Sequence, residues 1–285
     1  MIEIKQKNEQ NILYIKEVQN VPLLSFSLLE NVDSVINGFS TRIGGVSTGE
    51  FSSMNFITAR GDSQEAVREN YKRIARVLGV ELHRMTASYQ THTTNIRVVT
   101  KADEGKGIVR DRDYTDIDGM ITNTPGITLV TFYADCVPLY FVDPKKKAIG
   151  LSHSGWRGTV NGMAAKTVEA MQKNFGSDPE DILACVGPSI CKDCYEISQD
   201  VAEAFQKAFT NAACDEFLEK KGNGKYQLDL WKANEILLSN AGILREHMAI
   251  TNICTCCNAD ILFSHRASKG RRGNLAAFLC LKEEA

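Results

Sequence analysis

The chain has 285 residues, of which 43% are hydrophobic and 24% charged, with a formal net charge of -2 at pH 7. This balance is typical of a globular protein and is large enough to bury a core, in one domain or two fused halves. We predict a single domain over residues 1–285. Acidic and basic residues are interspersed, which argues against a nucleic-acid or membrane partner and favours small molecules.

The apolar segments and the cysteine content indicate a cytoplasmic protein. Residues 1–9 alternate charged and apolar side chains and lack the apolar centre of a secretion signal. The longest apolar stretch, 127–142, contains Asp135 and Pro138 and falls short of the roughly 20 apolar residues of a spanning helix. Nine cysteines, an odd number, favour reduced thiols with metal-binding or catalytic roles over disulfides.

Hydrophobic periodicity predicts strands first and then a helix in the N-terminal part. Residues 11–30 predict two apolar strands separated at Pro22, and a glycine-marked loop is entered at Ile36. Apolar residues at helical spacing predict a helix over 63–78, which Gly79 would cap. Short strands are predicted near Ala87 and over 96–100, on either side of the polar segment 90–95.

The rest of the chain alternates strands and helices, and together these elements predict an α/β or α+β fold with layered mixed sheets flanked by helices. In order, the predicted elements are strands at 120–122, 127–133, 139–142 and 148–153, a helix at 163–175, a strand at 182–186, a helix at 198–209, a strand at 226–228, a helix at 230–241 and strands near 250 and at 274–281.

The predicted hairpin between strands 139–142 and 148–153 decides whether Cys136 and His153 meet. With an even loop, such as 144–145 or 144–147, both side chains lie on one face, with Cβ atoms about 4.5–8 Å apart. An odd loop without a bulge would separate them. Zinc binds thiolate sulfur at about 2.3 Å and imidazole nitrogen at about 2.0–2.1 Å, so such a pair can share a metal.

His92 is the natural third ligand, because it lies in a polar segment at the end of a strand. Gln90, two residues earlier, would share its face and could orient it, and Asp118 is a further candidate carboxylate behind the ligands. Asp135 adjoins Cys136, but neighbouring residues of a strand face opposite ways. Spacing alone is also compatible with a buried, inert Cys136 and a His153 that caps a turn.

The segment around His153 carries too much polar function for an ordinary strand end. Residues 152–158 contain an imidazole, two hydroxyls, an indole, a guanidinium and two glycines that permit close backbone approach. We therefore expect this segment to face a ligand.

Motifs of this kind recur along nearly the whole chain, and jointly they resemble the laccase-domain proteins of the YfiH/YlmD type. Members of that family were once labelled multicopper polyphenol oxidases and are now regarded as purine nucleoside phosphorylases. The motifs are Gly38–Ser47, Met54–Asn55, Gly61–Asp62, Gln90–His92, Asp118–Gly119, Ala134–Pro138, His153–Gly158, Gly187–Ile190 with Cys194–Glu196, Cys254–Thr255 and Phe263–Arg266.

The resemblance implies that His92, Cys136 and His153 are both zinc ligands and catalytic residues. It implies phosphorolysis of adenosine, inosine, guanosine and methylthioadenosine to free base and ribose 1-phosphate, and deamination of adenosine. The implied fold is a layered α/β arrangement similar to the cysteine-hydrolase-like deamidase toxins. Family members often carry a second aromatic and a second arginine near Phe263–Arg266, where this chain has His265 and Ala267. The resemblance therefore implies a functional role only for Arg266 in this segment. We expect a monomer or homodimer.

Phosphorolysis needs an anion cradle and a group that stabilises the departing base. A glycine-rich loop offers backbone N–H groups and an arginine offers a planar fork. Two ribose contacts, Asn55 and Asp62, are also conceivable, although Asp62 is explained more simply as the cap of the following helix. The candidate substrate and phosphate residues are Arg42, Gly45, Asn55, Arg60, Gln90, Arg157 and Arg266.

Three alternatives stay open. Copper could bind the same His2Cys set, but five histidines without a His-x-His pair cannot supply the trinuclear cluster of a multicopper oxidase. A metal-free cysteine hydrolase or amidase would use Cys136 as nucleophile and His153 as base. A non-enzymatic metal- or nucleotide-binding protein would bind inosine without turnover.

Two further groups of cysteines have no role in the chemistry that the resemblance implies. Cys191 and Cys194 have the spacing of a redox motif, but no thioredoxin-like order of strand and helix surrounds them. Cys254, Cys256 and Cys257 lack a partner pair at zinc-finger spacing. We predict that both groups are structural or buried thiols.

Overall fold

The computed structural model describes residues 2–283. Within that range the strands are β1 (Leu13–Val18), β2 (Val21–Phe26), β3 (Val35–Ser40), β4 (Met85–Ala87), β5 (Ile96–Val98), β6 (Gly119–Thr122), β7 (Thr128–Tyr133), β8 (Val137–Asp143), β9 (Ala148–Ser154), β10 (Leu183–Val186), β11 (Glu196–Ile197), β12 (Leu218–Lys220), β13 (Tyr226–Leu228), β14 (Met248–Ile250) and β15 (Leu275–Leu281).

The α-helices of the same range include three of a single turn or little more. They are α1 (Ser27–Glu30), α2 (Gln64–Leu78), α3 (Trp156–Val160), α4 (Met163–Phe175), α5 (Gln199–Ala208), α6 (Asn211–Phe217), α7 (Leu230–Asn240) and α8 (His265–Ser268).

The strands form two six-stranded sheets and one small sheet. The first sheet has the order β1-β2-β3-β15-β7-β4, the second β14-β10-β8-β9-β6-β5, and the third β11-β13-β12. Both large sheets are mixed, because β4 runs parallel to β7, and β5 and β14 run parallel to β6 and β10, among otherwise antiparallel pairs. The predicted class, layered mixed sheets with flanking helices, is confirmed.

The two large sheets pack face to face and each is covered by helices on its other face. Their shared core contains Phe39 and Leu279 from the first sheet and Met120 and Leu151 from the second. Helix α2 covers the outer face of the first sheet. Helices α4, α5, α6 and α7 cover the outer face of the second. Four layers result, and strands buried on both faces account for the continuous apolar runs of the sequence.

The predicted helix at 63–78 is present as α2, and its ends follow from its sequence. The Ser63 side chain accepts a hydrogen bond from the Ala66 N–H, and Gly79 ends the helix in the left-handed conformation at φ 69°. Asp62 is therefore not the cap, which corrects that expectation. Its carboxylate accepts instead from the Ser63 N–H at 2.8 Å and from the Asn55 side chain at 2.8 Å.

The break between the first two strands, predicted at Pro22, lies slightly earlier in the chain. Strands β1 and β2 form a hairpin whose two turn residues, Gln19 and Asn20, both have positive φ. This is the two-residue turn that matches the twist of a hairpin. Pro22 lies inside β2, opposite Glu17. No helix between residues 2 and 283 is long and apolar enough to cross a bilayer.

Candidate active site

The β8–β9 hairpin brings Cys136 next to His153. Pro138 pairs with His153 and Asp143 with Ala148, which leaves a four-residue loop, 144–147. Cys136 lies two residues before Pro138 and therefore occupies the diagonal position on the face of His153. The even-loop prediction is confirmed.

His92 completes the trio from the segment between β4 and β5. One ligand atom from each of His92, Cys136 and His153 lies within 4.8 Å of the other two. The two imidazole rings meet edge to face, with their centroids 5.0 Å apart. His153 is buried, Cys136 half-buried and His92 exposed, so the trio opens to solvent at His92.

Asp118, at the start of β6, holds two members of the trio in place. One carboxylate oxygen lies 2.8 Å from Nδ1 of His153 and accepts from the His92 N–H at 3.1 Å. The other oxygen accepts from the N–H groups of Thr91 and Thr93, each at 3.0 Å. These bonds fix the turn at His92, where the backbone takes a positive φ of 66°. Asp118 itself is fully buried.

Gly155 lies directly beside two members of the trio, Cys136 and His92. A Cβ atom at this position would lie 3.1 Å from the Cys136 sulfur and 3.2 Å from Cδ2 of His92. Both contacts are tighter than ordinary van der Waals packing, so a larger residue would crowd the ligand atoms. The glycine is thus required by close approach to the trio.

The trio is electrostatically coupled. Burial by itself would raise the pKa of the Cys136 thiol, but the charge and hydrogen bonds of His153 and His92 lower it to about 6. Burial would lower the pKa of His153, but the Cys136 thiolate and Asp118 raise it to about 9. A thiolate therefore lies against an imidazolium near neutral pH when no metal is bound, which is the ionisation of a reactive cysteine.

Gln90 makes its contacts within the fold. Its amide oxygen accepts from the Phe132 N–H at 2.7 Å, and its amide nitrogen donates to the Phe132 carbonyl at 2.8 Å. The oxygen also accepts from the Ser88 hydroxyl at 2.9 Å. The Gln90 side chain therefore bonds to the backbone of β7 at Phe132. The turn at His92 is held by Asp118.

The glycine-rich loop after β3 also uses its donors internally. The N–H of Arg42 donates to the Ile261 carbonyl at 2.8 Å and that of Gly45 to the Ser53 hydroxyl at 3.1 Å. The Arg42 guanidinium bonds the carbonyls of Ser52 and Ala259 and lies 4.5 Å from the centre of the Phe263 ring. These donors therefore serve the fold, and nothing in their arrangement points to a phosphate.

Asn55 has a similar structural environment. It is fully buried and donates to the Ile57 carbonyl at 2.7 Å, while its oxygen accepts from the Asn274 N–H at 2.8 Å. These contacts hold the loop before β15 against the segment before α2.

Arg157 and Arg266 lie in the segments that flank the trio. Arg157 is exposed, and its guanidinium lies 4.3 Å from the centre of the Trp156 ring. The N–H of Arg266 donates to Asp135 at 2.7 Å, and its guanidinium donates to the Glu196 carbonyl at 2.9 Å. Asp135, which adjoins Cys136, also accepts from the Thr255 hydroxyl at 2.6 Å. Asp135 thus anchors α8 and the loop after β14 beside Cys136.

A cluster of cations near Cys136 contains residues that the sequence analysis did not select. Arg272 is 9% exposed, and its Nε atom has no hydrogen-bond partner among the described residues. Burial and the nearby Arg60 lower the pKa of Arg272 to about 10, against the opposing charges of Asp135 and Cys136. Burial and the charges of Arg272, Arg60 and Arg266 lower the pKa of His265. Arg60 donates to the Gly270 carbonyl at 3.4 Å.

Tyr195 was part of a motif but had no predicted role. Burial, together with the negative charge of Cys136, raises the pKa of its hydroxyl, and Arg266 and Arg157 act in the opposite direction. The Arg266 guanidinium lies 5.4 Å from the centre of its ring. In the sequence Tyr195 stands between Cys194 and Glu196, and nothing in that pattern predicts that it lies near Cys136.

Residues 36–282 match the family model described as multi-copper polyphenol oxidoreductase laccase. The chain belongs to this family. Purine nucleoside phosphorylase YlmD of Bacillus subtilis is 34% identical over 258 residues, which cover 89% of this chain and 91% of that protein. The solved structures similar to this laccase-family chain include hypothetical protein YfiH of Bacillus licheniformis, with a TM-score of 0.88 at 33% identity over 96% of this chain and 100% of that one.

A second solved structure, YlmD from Geobacillus stearothermophilus, has a TM-score of 0.85 at 31% identity, again over 96% of this chain and 100% of that one. The family description mentions copper, whereas the five histidines of this laccase-family chain include no His-x-His pair. Among the described residues, two groups of side chains could hold a metal ion. His92 and His153 are the only histidines in either group, because the second group consists of cysteines.

Proposed function

We propose that this chain is a purine nucleoside phosphorylase that cleaves adenosine, inosine, guanosine or methylthioadenosine with phosphate, and that it also deaminates adenosine. One observation carries the proposal: His92, Cys136 and His153 converge at a solvent-facing opening. The names of relatives that share most of their length with this chain support the reaction class. A cytoplasmic location and a monomeric or dimeric state are part of the same proposal.

We further propose that His92, Cys136 and His153 hold a zinc ion, with copper able to use the same donors. The fit rests on three ligand atoms within 4.8 Å of each other and on the absence of a side chain at Gly155, where a Cβ would crowd Cys136 and His92. Zinc with three protein ligands keeps one position open and supplies Lewis acidity, both for the departing purine and for the water that deamination consumes.

Asp118 sets the protonation of His153 in this proposal. A carboxylate 2.8 Å from Nδ1 favours the tautomer that carries its proton there, which leaves Nε2 with a lone pair. The same carboxylate orients the His92 turn. Asp118 is therefore a positioning residue that prepares both imidazoles for ligation.

The arginine cluster formed by Arg60, Arg266 and Arg272, with His265 beside it, is the phosphate site we favour. Like charges collected beside Cys136 repel one another, and an anion would offset that repulsion. The unpartnered Nε of the buried Arg272 offers a donor that is already desolvated, and a guanidinium matches the geometry of phosphate oxygens. Among the predicted candidates, Arg60 and Arg266 thus have stronger support than the loop of Arg42 and Gly45.

The deciding experiment is a base-release assay with adenosine and inosine, with and without phosphate, after metal analysis of each preparation. Wild type should release base only with phosphate, and Cys136→Ala should lose both base release and the metal of the trio. Cys256→Ser serves as the control, because Cys256 belongs to neither metal-capable group. Unchanged turnover of Cys136→Ala would remove this residue from the mechanism.

The phosphate site has its own test. Arg60→Ala should raise the KM for phosphate while it leaves the KM for the nucleoside and the metal content unchanged, because Arg60 is exposed and lies outside the trio. Arg68→Ala, an exposed arginine of α2, should change neither constant. An equal effect on both substrates would contradict the assignment.

A metal-free cysteine hydrolase is the second candidate. In it Cys136 would be the nucleophile, His153 the base and Asp118 the carboxylate that orients the base. It predicts inactivation by a thiol alkylator and full activity after chelation. Loss of activity on chelation, with recovery on addition of zinc, would exclude it.

A further inference from the structure

Two Cys-x-x-Cys pairs that are far apart in the chain meet at one edge of the second sheet. Strands β10 and β14 are parallel neighbours, with Val186 opposite Ile250. Parallel strands end at the same edge, so the loops that follow them lie side by side. The first loop carries Cys191 and Cys194, and the second carries Cys254 and Cys257.

The four sulfur atoms form a compact cluster. All lie within 4.8 Å of one another, and those of Cys194 and Cys257 are 3.6 Å apart. Zinc–thiolate bonds of about 2.3 Å in a tetrahedron require sulfur atoms about 3.8 Å apart. The cluster therefore has nearly the dimensions of a four-thiolate site, and all four cysteines are free.

Backbone donors and a lysine surround these sulfurs. The N–H groups of Cys191 and Cys257 point at the Cys254 sulfur, at 3.3 Å and 3.4 Å. Lys7 lies close enough to Cys191 and Cys257 for its charge to act on both, and it pairs with Asp193 at 2.9 Å. Hydrogen bonds and positive charge around sulfur are the surroundings that stabilise metal-bound thiolates.

We propose that Cys191, Cys194, Cys254 and Cys257 bind one zinc ion as a structural site. Four protein thiolates leave no open position, so this metal takes no part in the chemistry. Its effect is to join two loops that are otherwise connected by hydrogen bonds, such as the Thr255 N–H to the Ser189 carbonyl at 3.1 Å.

The site also stabilises the surroundings of the trio. Thr255, inside the second pair, donates to the Asp135 carboxylate at 2.6 Å, and the N–H of Ile190, just before the first pair, donates to the Asp135 carbonyl at 3.0 Å. Asp135 adjoins Cys136 and has a positive φ of 90°. The zinc would fix the two loops that hydrogen-bond to Asp135, and it would do so without contacting the trio.

The test is the metal content of protein purified without chelators. Wild type should hold about one zinc ion per chain more than Cys194→Ser or Cys257→Ser, and these variants should melt at lower temperature. Cys256→Ser, a neighbouring cysteine outside the cluster, should keep the wild-type zinc content. Zinc content in Cys194→Ser equal to that of wild type would overturn the proposal.

A second measurement does not depend on the folding of those variants. In Cys136→Ala protein, which retains all four cluster cysteines, zinc-edge X-ray absorption should show a shell of sulfur alone at about 2.3 Å. Nitrogen or oxygen in that shell, absence of zinc, or a disulfide among the four cysteines in freshly purified protein would each overturn the proposal.

The two metal sites are distinguishable. If the trio binds no zinc, wild type and Cys136→Ala hold the same amount, and Cys194→Ser still loses about one ion per chain. If the cluster binds none, the loss follows Cys136→Ala alone.

Discussion

At the residue scale, Asp118 connects the backbone of one trio member to the ring of another. Its two oxygens accept from three consecutive N–H groups, those of Thr91, His92 and Thr93, and lie against the His153 ring. A single buried carboxylate therefore decides the relative position of both imidazoles.

Asp118→Asn should weaken metal binding by about 10- to 100-fold, because an amide cannot accept on both sides and outer ligands contribute this much to metal affinity. Competition with a chromophoric chelator measures the affinity. Asp116→Asn is the matched control, since Asp116 is exposed, lies two residues before Asp118, and its carboxylate accepts from the hydroxyls of Thr91 and Thr115 and not from the N–H groups of the His92 turn. Equal affinities for Asp118→Asn and wild type would refute the role.

Single residues were predictable where local pattern and chemistry agreed. Cys136 and His153 follow from hairpin parity, and His92 from a polar strand end. Arg272 was not predictable, because one arginine in a loop of Lys, Gly and Arg has no signal until the fold buries it. The cysteine pairs were visible, but their meeting depends on the parallel pairing of β10 and β14, which spacing does not reveal.

At the element scale, the short turn Lys101–Asp103 is closed by an ionic cluster. Asp103 is 2% exposed and accepts from Lys106 at 2.8 Å, Arg97 at 2.7 Å and the Thr100 N–H at 3.0 Å. Burial would raise the pKa of this carboxyl, but Lys106 and Arg97 lower it to about 2.

Asp103→Asn should lower the free energy of unfolding by about 2 kcal/mol at pH 7. Because the folded-state pKa lies below the unfolded value, this stability is fully present above about pH 4 and is lost as the pH falls towards 2. The difference between wild type and variant should therefore shrink over that interval in urea titrations at several pH values. Asp111→Asn, at an exposed position, should give no such difference, and a constant gap down to pH 2 would contradict the assignment.

Elements with clear ends were predicted well. Gly79 ends α2 as expected, although Ser63 and not Asp62 caps its start, and the predicted helices at 163–175 and 230–241 appear as α4 and α7. The third sheet was predicted only at β13, because strands of two or three residues are too short for alternation to show. The predicted helix at 198–209 matches α5 alone, and the short helix α6 was not predicted.

At the scale of the whole molecule, a few polar contacts cross the interface between the large sheets. The hydroxyl of the fully buried Tyr140, in β8 of the second sheet, donates to the Gly38 carbonyl in β3 of the first at 2.9 Å. The Tyr133 hydroxyl, in β7 of the first sheet, donates to the Ser152 carbonyl in β9 of the second at 3.1 Å. Both bonds contribute to how the sheets are aligned.

Tyr140→Phe should lower the free energy of unfolding by about 1 kcal/mol, the usual net value of a buried hydrogen bond. Urea unfolding should show a lower midpoint with an unchanged slope, because the exposed area is the same. Tyr226→Phe, half-buried in the third sheet, is the comparison. An identical midpoint for Tyr140→Phe and wild type would mean that this hydrogen bond does not stabilise the packing of the two sheets.

The layered class of the fold was predictable from alternating strands and helices, but the stacking of two sheets was not. Strands such as β7, β8 and β9 are buried on both faces, so they show no polar side that would say what covers them. The single domain over 1–285 stays a prediction.

The chain passes from the first sheet to the second in only three residues, between Tyr133 at the end of β7 and Val137 at the start of β8. Cys136 is the last of them, whereas His153 belongs to β9 of the second sheet and His92 follows β4 of the first. Any slippage between the sheets would therefore alter the sulfur–imidazole geometry directly. Substitutions deep in the sandwich, remote from the opening, should change turnover and thermal tolerance together, so the reactive centre and the hydrophobic interior cannot diversify independently.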